Sequence, residues 1–349
     1  MNNKRILIIG GTGSLGNELI SLLREDNELV IFSRDEEKQW QIQHRYPGAQ
    51  LKFVVGDVRD GDSIYSALRF YKPDVVINAS ALKQITTCEY FPEQSVKTNI
   101  LGAQNLVDAA SRVGTIDTVI GISTDKACKP VNVYGMCKAI QERIYTEANL
   151  RSDKTRVLCV RYGNVLESRG SVIPLFKQQI ARGGPVTITL PHMTRFLLSL
   201  GQSVRLIQTA YRLGLPGDVW IPKAIAARVD DLARVLVGGR NIPILTSGIR
   251  PGEKVHEILV SEEEIFRTVE TQDHYVIEPI LPELRGRAKR PGTARAVPFQ
   301  EYSSKDHVLA PEALREFLIA HKALAPEETK EAPHGPRRAA RRAAVRAAV

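Results

Sequence analysis

The stretch RILIIGGTGSLG (residues 5–16) joins a short apolar run to a glycine-rich turn at the start of a helical pattern. In this context, glycines let backbone N–H groups approach a dinucleotide pyrophosphate at the helix N-terminus. The turn fits both GxGxxG and GxxGxxG, so later motifs must decide the subtype. We therefore predict a dinucleotide site here, with contacts from Gly10, Thr12, Gly13, Ser14, Leu15 and Gly16.

Short apolar runs alternate with segments of helical length as far as residue 163. The runs are RILIIG, ELVIFS, LKFVVGD, DVVINAS, DTVIGIS and RVLCVRYGN, and helices are predicted near 14–25, 35–45, 61–70, 93–112 and 133–148. This alternation is typical of a parallel sheet covered on both faces. We predict an α/β fold, a Rossmann-type doubly wound parallel sheet with a smaller C-terminal substrate-binding domain.

The regular alternation ends after Arg161, and Gly- and Pro-bearing segments follow. We predict a Rossmann domain over 1–163, to which about 197–240 return through the strand GDVWIPK and the helix VDDLARVLVGG. Residues 164–196 and 241–321 would form the substrate-binding domain. The last part, 322–349, is predicted to be a basic, disordered tail because it is rich in Ala and Arg after a Pro-rich break.

Composition excludes several classes of protein. The 349 residues are 43% hydrophobic and 25% charged, which is ordinary for about two globular domains. No apolar run approaches the ~20 residues that span a bilayer, and the N-terminus lacks a signal-peptide pattern. The four cysteines show no metal-binding spacing, so we expect reduced thiols, no metal and a cytoplasmic location. The tail carries +4 of the net charge of +9, and we predict no nucleic-acid partner.

The end of the second predicted strand bears on the cofactor. Ser33-Arg34-Asp35 stands where an NAD-binding protein usually places an acidic residue for the ribose. A guanidinium can clamp a 2′-phosphate, so Arg34 favours NADP, while Asp35 leaves NAD open. Later strand ends offer further contacts: Asp57 and Val58 toward the adenine, and Asn78, Ala79 and Ser80 along the cofactor channel. Asp57 has a structural alternative as the N-cap of the following helix.

Chemistry-bearing residues follow the fifth predicted strand as STDK (123–126) and YGMCK (134–138). Tyr134 and Lys138 are four residues apart and share one helix face. A tyrosine acts as a base near neutral pH only when positive charge stabilises its phenolate, which Lys138 and an oxidised nicotinamide would supply. Thr124 can hydrogen-bond the same substrate oxygen. These residues predict hydride chemistry at a substrate hydroxyl.

Taken together, these motifs resemble the extended short-chain dehydrogenase/reductase family, and more narrowly its inverting UDP-N-acetylglucosamine 4,6-dehydratases. The resemblance spans about residues 4–320, with Leu190-Pro191 departing from the usual Thr-Asp pattern before MTRF. It rests on FSRDEEKQ (32–39), GDVRD (56–60), NASALKQITTCEYFPEQSVKTN (78–99), STDKACKPVNVYGMCK (123–138), RYGNVLESRGSVIP (161–174), MTRF (193–196) and RPGEKVHEILVSEEE (250–264).

The resemblance implies a closed redox cycle on a UDP-sugar with a bound NADP. Tyr134 would take the C4 hydroxyl proton, a neutral Lys126 would remove the C5 proton, and a protonated Asp125 would donate to the departing C6 hydroxyl. Burial is expected to lower the pKa of Lys126 and raise that of Asp125, whereas an Asp–Lys ion pair would hold both charged. The resemblance also implies a homodimer or higher homo-oligomer. Further implied contacts are Lys83 and Asn99 with the cofactor, and Lys83, Asn164, Val172, Arg195, Arg250 and Glu253 with the substrate.

Two other functions remain open from the sequence. A UDP-sugar C4 epimerase also uses the tyrosine, the lysine and a dinucleotide, but it needs neither Asp125 nor Lys126. A dinucleotide-binding regulator without catalysis would need none of the residues Thr124, Asp125, Lys126, Tyr134 and Lys138.

Overall fold

The structure, a computed structural model, describes residues 1–286 and 295–325. Its strands are β1 (Arg5–Ile9), β2 (Glu28–Ser33), β3 (Leu51–Val55), β4 (Val75–Asn78), β5 (Thr118–Thr124), β6 (Arg156–Tyr162), β7 (Asn164–Val165), β8 (Val186–Ile188), β9 (Thr194–Leu198), β10 (Val219–Pro222), β11 (Ile225–Arg228), β12 (Ile244–Thr246), β13 (Ile258–Val260), β14 (Thr268–Glu270), β15 (His274–Ile277), β16 (Arg295–Ala296) and β17 (Tyr302–Ser303).

The α-helices pack around these strands. They are α1 (Ser14–Leu23), α2 (Glu36–Arg45), α3 (Gly61–Tyr71), α4 (Ile85–Tyr90), α5 (Pro92–Ser95), α6 (Gly102–Val113), α7 (Val133–Ala148), α8 (Val172–Ala181), α9 (Leu200–Leu213), α10 (Val229–Val237) and α11 (Pro311–Ala320). The single helix predicted near 93–112 is divided, because a π-helical turn (Val96–Leu101) separates α5 from α6.

The predicted α/β fold is confirmed. Seven strands run parallel in the order β10-β6-β5-β4-β1-β2-β3, which is the strand order of a Rossmann-type sheet. Ile6, Leu7, Ile8 and Ile9 are each at most 1% exposed. Since side chains alternate between the two faces of a strand, this run is apolar throughout because helices cover both faces.

The sheet is larger than the sequence predicts. Antiparallel strands β15, β14 and β16 continue it beyond β10, although residues 241–321 were expected in the smaller domain. These strands are two to four residues long, too short to show a periodic pattern. Of these strands, β15 pairs with the backbone of β10, which would otherwise form an open edge of the sheet.

One helix lies elsewhere than predicted. Within 197–240, α9 and β10 pack in the large sheet layer, but α10 does not return to it. Instead, Leu232 and Leu236 of α10 pack with Phe176 of α8 and with Leu314 and Leu318 of α11 in a second hydrophobic cluster. The apolar stripe of α10 faces these helices rather than the sheet. The division into nucleotide- and substrate-binding domains stays a prediction.

Within the described ranges, no helix combines the length and the apolar character needed to cross a membrane. The predicted basic tail falls almost entirely on residues 326–349, which lie outside the described part of the chain.

Candidate active site

The glycine loop between β1 and α1 packs closely against neighbouring backbone segments at two of its glycines. Gly10 has a φ of +76°, and a Cβ there would lie 2.8 Å from the backbone nitrogen of Ser80. A Cβ at Gly16 would lie 2.2 Å from the carbonyl oxygen of Gly11, so the first turn of α1 packs directly on the loop.

This loop fits a dinucleotide. Residues Gly13–Gly16 line a cleft of about 500 Å³, and the first N–H groups of α1 have no acceptor within the helix. Gly13, the N-cap, offers no side chain to satisfy them. These N–H groups and the positive end of the helix dipole therefore suit a pyrophosphate. Thr12 is buried beneath the loop and does not line the cleft.

Two asparagines shape the cleft wall from behind. Asn78, at the end of β4, donates to the Tyr145 hydroxyl (2.8 Å) and accepts from Ser80. Asn99, on the π-helical turn, accepts from the backbone N–H of Leu82 and donates to its carbonyl, both at 2.9 Å. Both asparagines are buried outside the cleft lining. They hold the segment that presents Ala79, Ser80 and Lys83, which do line the cleft.

The expected ribose and adenine contacts lie at the ends of β2 and β3, beside the cleft lining rather than in it. Ser33 accepts from Gln39 (3.0 Å), and Val58 packs in the core against Gly102. Arg34 is largely exposed, 3.6 Å from Asp57. The N-cap role considered for Asp57 is wrong, because Asp60 caps α3.

Both carboxylates at this edge already pair with cations. Arg59 lies 2.6 Å from Asp57. Partial burial acts to raise the pKa of Asp57, but the hydrogen bonds and the charge of Arg59 outweigh burial, and the pKa is lowered. Asp35 caps α2, and its bonds with Lys38 lower its pKa.

The catalytic candidates meet where β5 ends and α7 begins. Asp125 is fully buried, and its Oδ1 accepts from the Thr124 hydroxyl and the Lys126 ammonium, each at 2.9 Å. Thr124, Lys126, Tyr134 and Lys138 line the same cleft as the glycine loop. The structure thus brings the predicted catalytic residues together at the carboxyl edge of the sheet, where ligands of such folds bind.

The expected lowering of the Lys126 pKa is wrong for this arrangement. Burial lowers it, but the carboxylates of Asp125 at 2.9 Å and Glu257 at 3.5 Å outweigh burial and raise the pKa of Lys126. The ion-pair alternative is therefore the one that the structure contains. The sequence analysis missed this because Glu257 is far away along the chain.

The environment of the tyrosine also differs from the expectation. Burial raises the pKa of Tyr134 to about 12, and the charge of Lys126 and the hydroxyl of Thr124 oppose this rise. Lys126, not Lys138, is therefore the lysine whose charge favours the phenolate. Lys138 donates to the carbonyl of Ile122 and to Gln141, and burial lowers its pKa to about 8.

The opposite wall comes from segments after β6. The predicted substrate contacts Asn164, Val172, Arg195, Arg250 and Glu253 all line the cleft. Two charged residues of the cleft lining were missed. The backbone N–H of Arg169 donates to the hydroxyl of Ser14 at the glycine loop (3.1 Å). Glu257 contacts Lys126. Glu257 stands within RPGEKVHEILVSEEE, but a lone glutamate in so charged a segment gives no signal of its own.

Unpartnered oxygens concentrate at this cleft. Among the described residues, nine buried side-chain polar atoms lack a hydrogen bond, and five belong to the site: Asp125 Oδ2, Asn164 Oδ1, Ser171 Oγ, Glu253 Oε2 and Glu257 Oε2. A buried acceptor without a donor costs free energy, so such a concentration is typical of a site that binds hydroxyl or N–H groups of a ligand.

Comparisons with known proteins identify the family of this chain. The polysaccharide biosynthesis protein family matches residues 6–279. A UDP-glucose 4-epimerase from Rickettsia canadensis is 43% identical over 285 residues, which cover 79% of this chain and 83% of the relative. The structure of Pen from Bacillus thuringiensis is similar at 33% identity with a TM-score of 0.84, covering 93% of this chain and 99% of that one.

A UDP-glucose 4-epimerase from Thermus thermophilus, solved with NAD, shares the fold at 20% identity with a TM-score of 0.62, over 71% of this chain and 88% of that one. The family match, the Rossmann-type sheet and the motifs lead to one assignment: the chain belongs to the polysaccharide biosynthesis protein family and is an extended short-chain dehydrogenase/reductase.

Proposed function

We propose that this protein is a nucleotide-sugar 4,6-dehydratase that acts on UDP-N-acetylglucosamine or a close UDP-hexose and inverts C5. The buried contact between Asp125 and Lys126, in the cleft that holds Tyr134, carries this proposal. Oxidation at C4 needs only Tyr134 with a lysine charge near it, Thr124 and a dinucleotide. Elimination of water across C5 and C6 needs an additional acid and base, and this pair supplies both.

The contact also accounts for the protonation states that elimination needs. The ion pair holds one proton on Lys126 Nζ, 2.9 Å from Asp125 Oδ1. Transfer of that proton yields a neutral amine and a neutral carboxylic acid in one step. These are the forms that act as base at C5 and acid at C6.

The reaction then balances around this pair. A bound nicotinamide dinucleotide supplies the chemistry of accepting a hydride from C4 and returning it to C6. Tyr134 takes the C4 hydroxyl proton, and the new ketone acidifies C5. Lys126 takes the C5 proton while Asp125 protonates the C6 hydroxyl that leaves as water, which restores the observed ion pair. One solvent-derived proton then adds to C5 from the opposite face, and Tyr134 releases the proton that it took from the C4 hydroxyl, so the enzyme ends with the number of protons it began with.

We propose NADP as the cofactor, with NAD as the alternative. A ribose 2′-hydroxyl would need a free carboxylate, but Asp35 and Asp57 are engaged by Lys38 and Arg59. The side chain of Arg34 is 60% exposed and lies 3.6 Å from Asp57, a loose surface contact that a 2′-phosphate can replace. NAD stays open because the Thermus thermophilus neighbour was solved with it.

The substrate is proposed to lie between the two walls of the cleft. Arg195 and Arg250 offer planar donors for a diphosphate, and Lys83 adds a further cation. The unpartnered oxygens of Asn164 and Glu253 offer acceptors for hydroxyl or amide N–H groups. A UDP-sugar presents both kinds of group.

A UDP-glucose 4-epimerase is the second candidate, because the Rickettsia canadensis relative carries that name at 43% identity. Such an enzyme would leave C6 untouched and would give Asp125 and Lys126 no protons to move.

Proton NMR in heavy water separates the two. The purified protein is incubated separately with UDP-N-acetylglucosamine and UDP-glucose, with NADP and with NAD. A new C6 methyl signal, with deuterium and inverted coupling at C5, is the expected result. A C4-epimerised sugar with an intact C6 hydroxymethyl group would replace the proposal with the epimerase.

A further inference from the structure

Glu257 is a buried carboxylate surrounded by cations. Its side chain is 2% exposed, and its Oε1 lies 3.5 Å from Lys126 Nζ and 3.8 Å from Arg195 Nε. Its Oε2 lies 4.0 Å from Lys254 Nζ and has no hydrogen bond. A buried charge persists only when neighbouring charges compensate it, so these four groups form one electrostatic unit.

The backbone holds Glu257 firmly in this position. Its N–H donates to the hydroxyl of Ser304 (2.9 Å), and its carbonyl accepts from the N–H of Ser304 (2.8 Å). The carboxylate therefore projects from a paired segment next to β13, on the wall opposite the glycine loop. The Glu257 carboxylate contacts the ammonium of Lys126, which follows the end of β5.

The other charged and titratable groups near Lys126 come from separate elements. Asp125 belongs to the same turn, Tyr134 to α7, Arg195 to β9 and Lys83 to the segment after β4. Arg195 and Lys83 repel the ammonium, whereas Asp125 and Glu257 attract it. Among the charged groups of the described residues that act on Lys126, Glu257 is thus the attractive one from outside the STDK turn.

We propose that Glu257 is a positioning residue, which holds the Lys126 ammonium against Asp125 from the far wall and sets how readily that lysine gives up its proton. This inference rests on the proposed function, in which Lys126 is the C5 base. Glu257 itself needs no contact with the reacting carbons. Glu257 acts on Lys126 through its negative charge and by fixing the position of the Lys126 ammonium.

Glu257→Gln tests the proposal because it removes the charge and keeps the shape. A unit charge 3.5 Å away shifts the titration of a partly hydrated lysine by about one to three pH units. Loss of a negative charge favours the neutral amine. The pH profile of C5 deuterium incorporation should therefore move to lower pH by about one unit or more. A residue that only supports the fold would lower turnover and leave the profile in place.

A second readout does not depend on the sugar. Competitive acetylation followed by peptide mass spectrometry gives the pH of half-labelling for Lys126, which lines the cleft, in the enzyme without substrate. It should fall by a similar amount in Glu257→Gln. Half-labelling at the wild-type pH would overturn the inference, even if the protein is a dehydratase. A shift in labelling together with a wild type that forms no C6 methyl would sustain the inference and reject the proposed function.

Glu257→Asp covers the case in which the glutamine variant does not fold. It keeps the charge but withdraws it by about one bond length. Turnover should fall, with a smaller displacement of the profile and of half-labelling in the same direction. Wild-type turnover and titration in this variant would overturn the proposal. Thermal melting and cofactor titration of each variant establish that the fold is retained.

Discussion

A buried ion network behind the site joins three parts of the chain, and its removal has a predictable cost. Arg161, at the end of β6, contacts Glu264 at 2.7 Å and Glu142 of α7 at 2.6 Å. Despite burial, Arg161 lowers the pKa of Glu264 from its usual 4.5 to about 2. That difference corresponds to about 3 kcal/mol of stability at neutral pH. Glu264→Gln should therefore lower the free energy of unfolding by about 3–5 kcal/mol, since it leaves Arg161 partly uncompensated.

The sign of the pH dependence follows from the lowered pKa. The stabilisation is complete above pH 4.5, the ordinary pKa of the group, and is lost as the pH falls toward 2. The difference in unfolding free energy between wild type and Glu264→Gln should thus shrink by about 1 kcal/mol between pH 7 and pH 4.

Urea unfolding followed by the fluorescence of the buried Trp220 measures these differences. Glu262→Gln is the matched control, because Glu262 is 64% exposed and contacts only Lys129, at 3.3 Å, among the described residues. It should cost no more than ~0.5 kcal/mol. The reasoning is refuted if Glu264→Gln costs as little as this control, or if its deficit grows as the pH falls.

Further predictions concern the chemistry, the cofactor and the assembly. Asp125→Asn should retain C4 oxidation, followed by the absorbance of the reduced cofactor at 340 nm, but should slow C6 methyl formation by ~10²–10⁴-fold. Equal loss of both steps would contradict the role assigned to Asp125. Arg34→Ala should weaken NADP binding by about 10–100-fold in calorimetry while NAD binding changes little. We propose that the exposed Met136 and Ile140 of α7 lie in a homo-oligomer contact. Met136→Glu should then convert the wild-type dimer into monomers, as measured by sedimentation. A wild-type protein that sediments as a monomer would reject this proposal.

Local patterns in the sequence were enough for the seven parallel strands of the sheet and for much of the cleft. The strand, glycine turn and helix of residues 5–23 follow from spacing alone, as do the STDK turn at the end of β5 and the shared face of Tyr134 and Lys138. Such features involve residues within one or two turns of each other, where periodicity and glycine placement act directly. The short strands β14–β16 escaped this reasoning because they carry no periodic signal.

The tertiary structure alone decided the charge of the central lysine. From its sequence neighbours, Lys126 was expected to be a neutral base made so by burial, with one half of an ion pair as the alternative. The position of Glu257, together with the complete burial of Asp125, makes it an ammonium here. Sequence spacing specifies which side chains share a strand end or a helix face. The pKa of a buried group depends on every charge within a few ångströms, and folding brings those charges from distant parts of the chain.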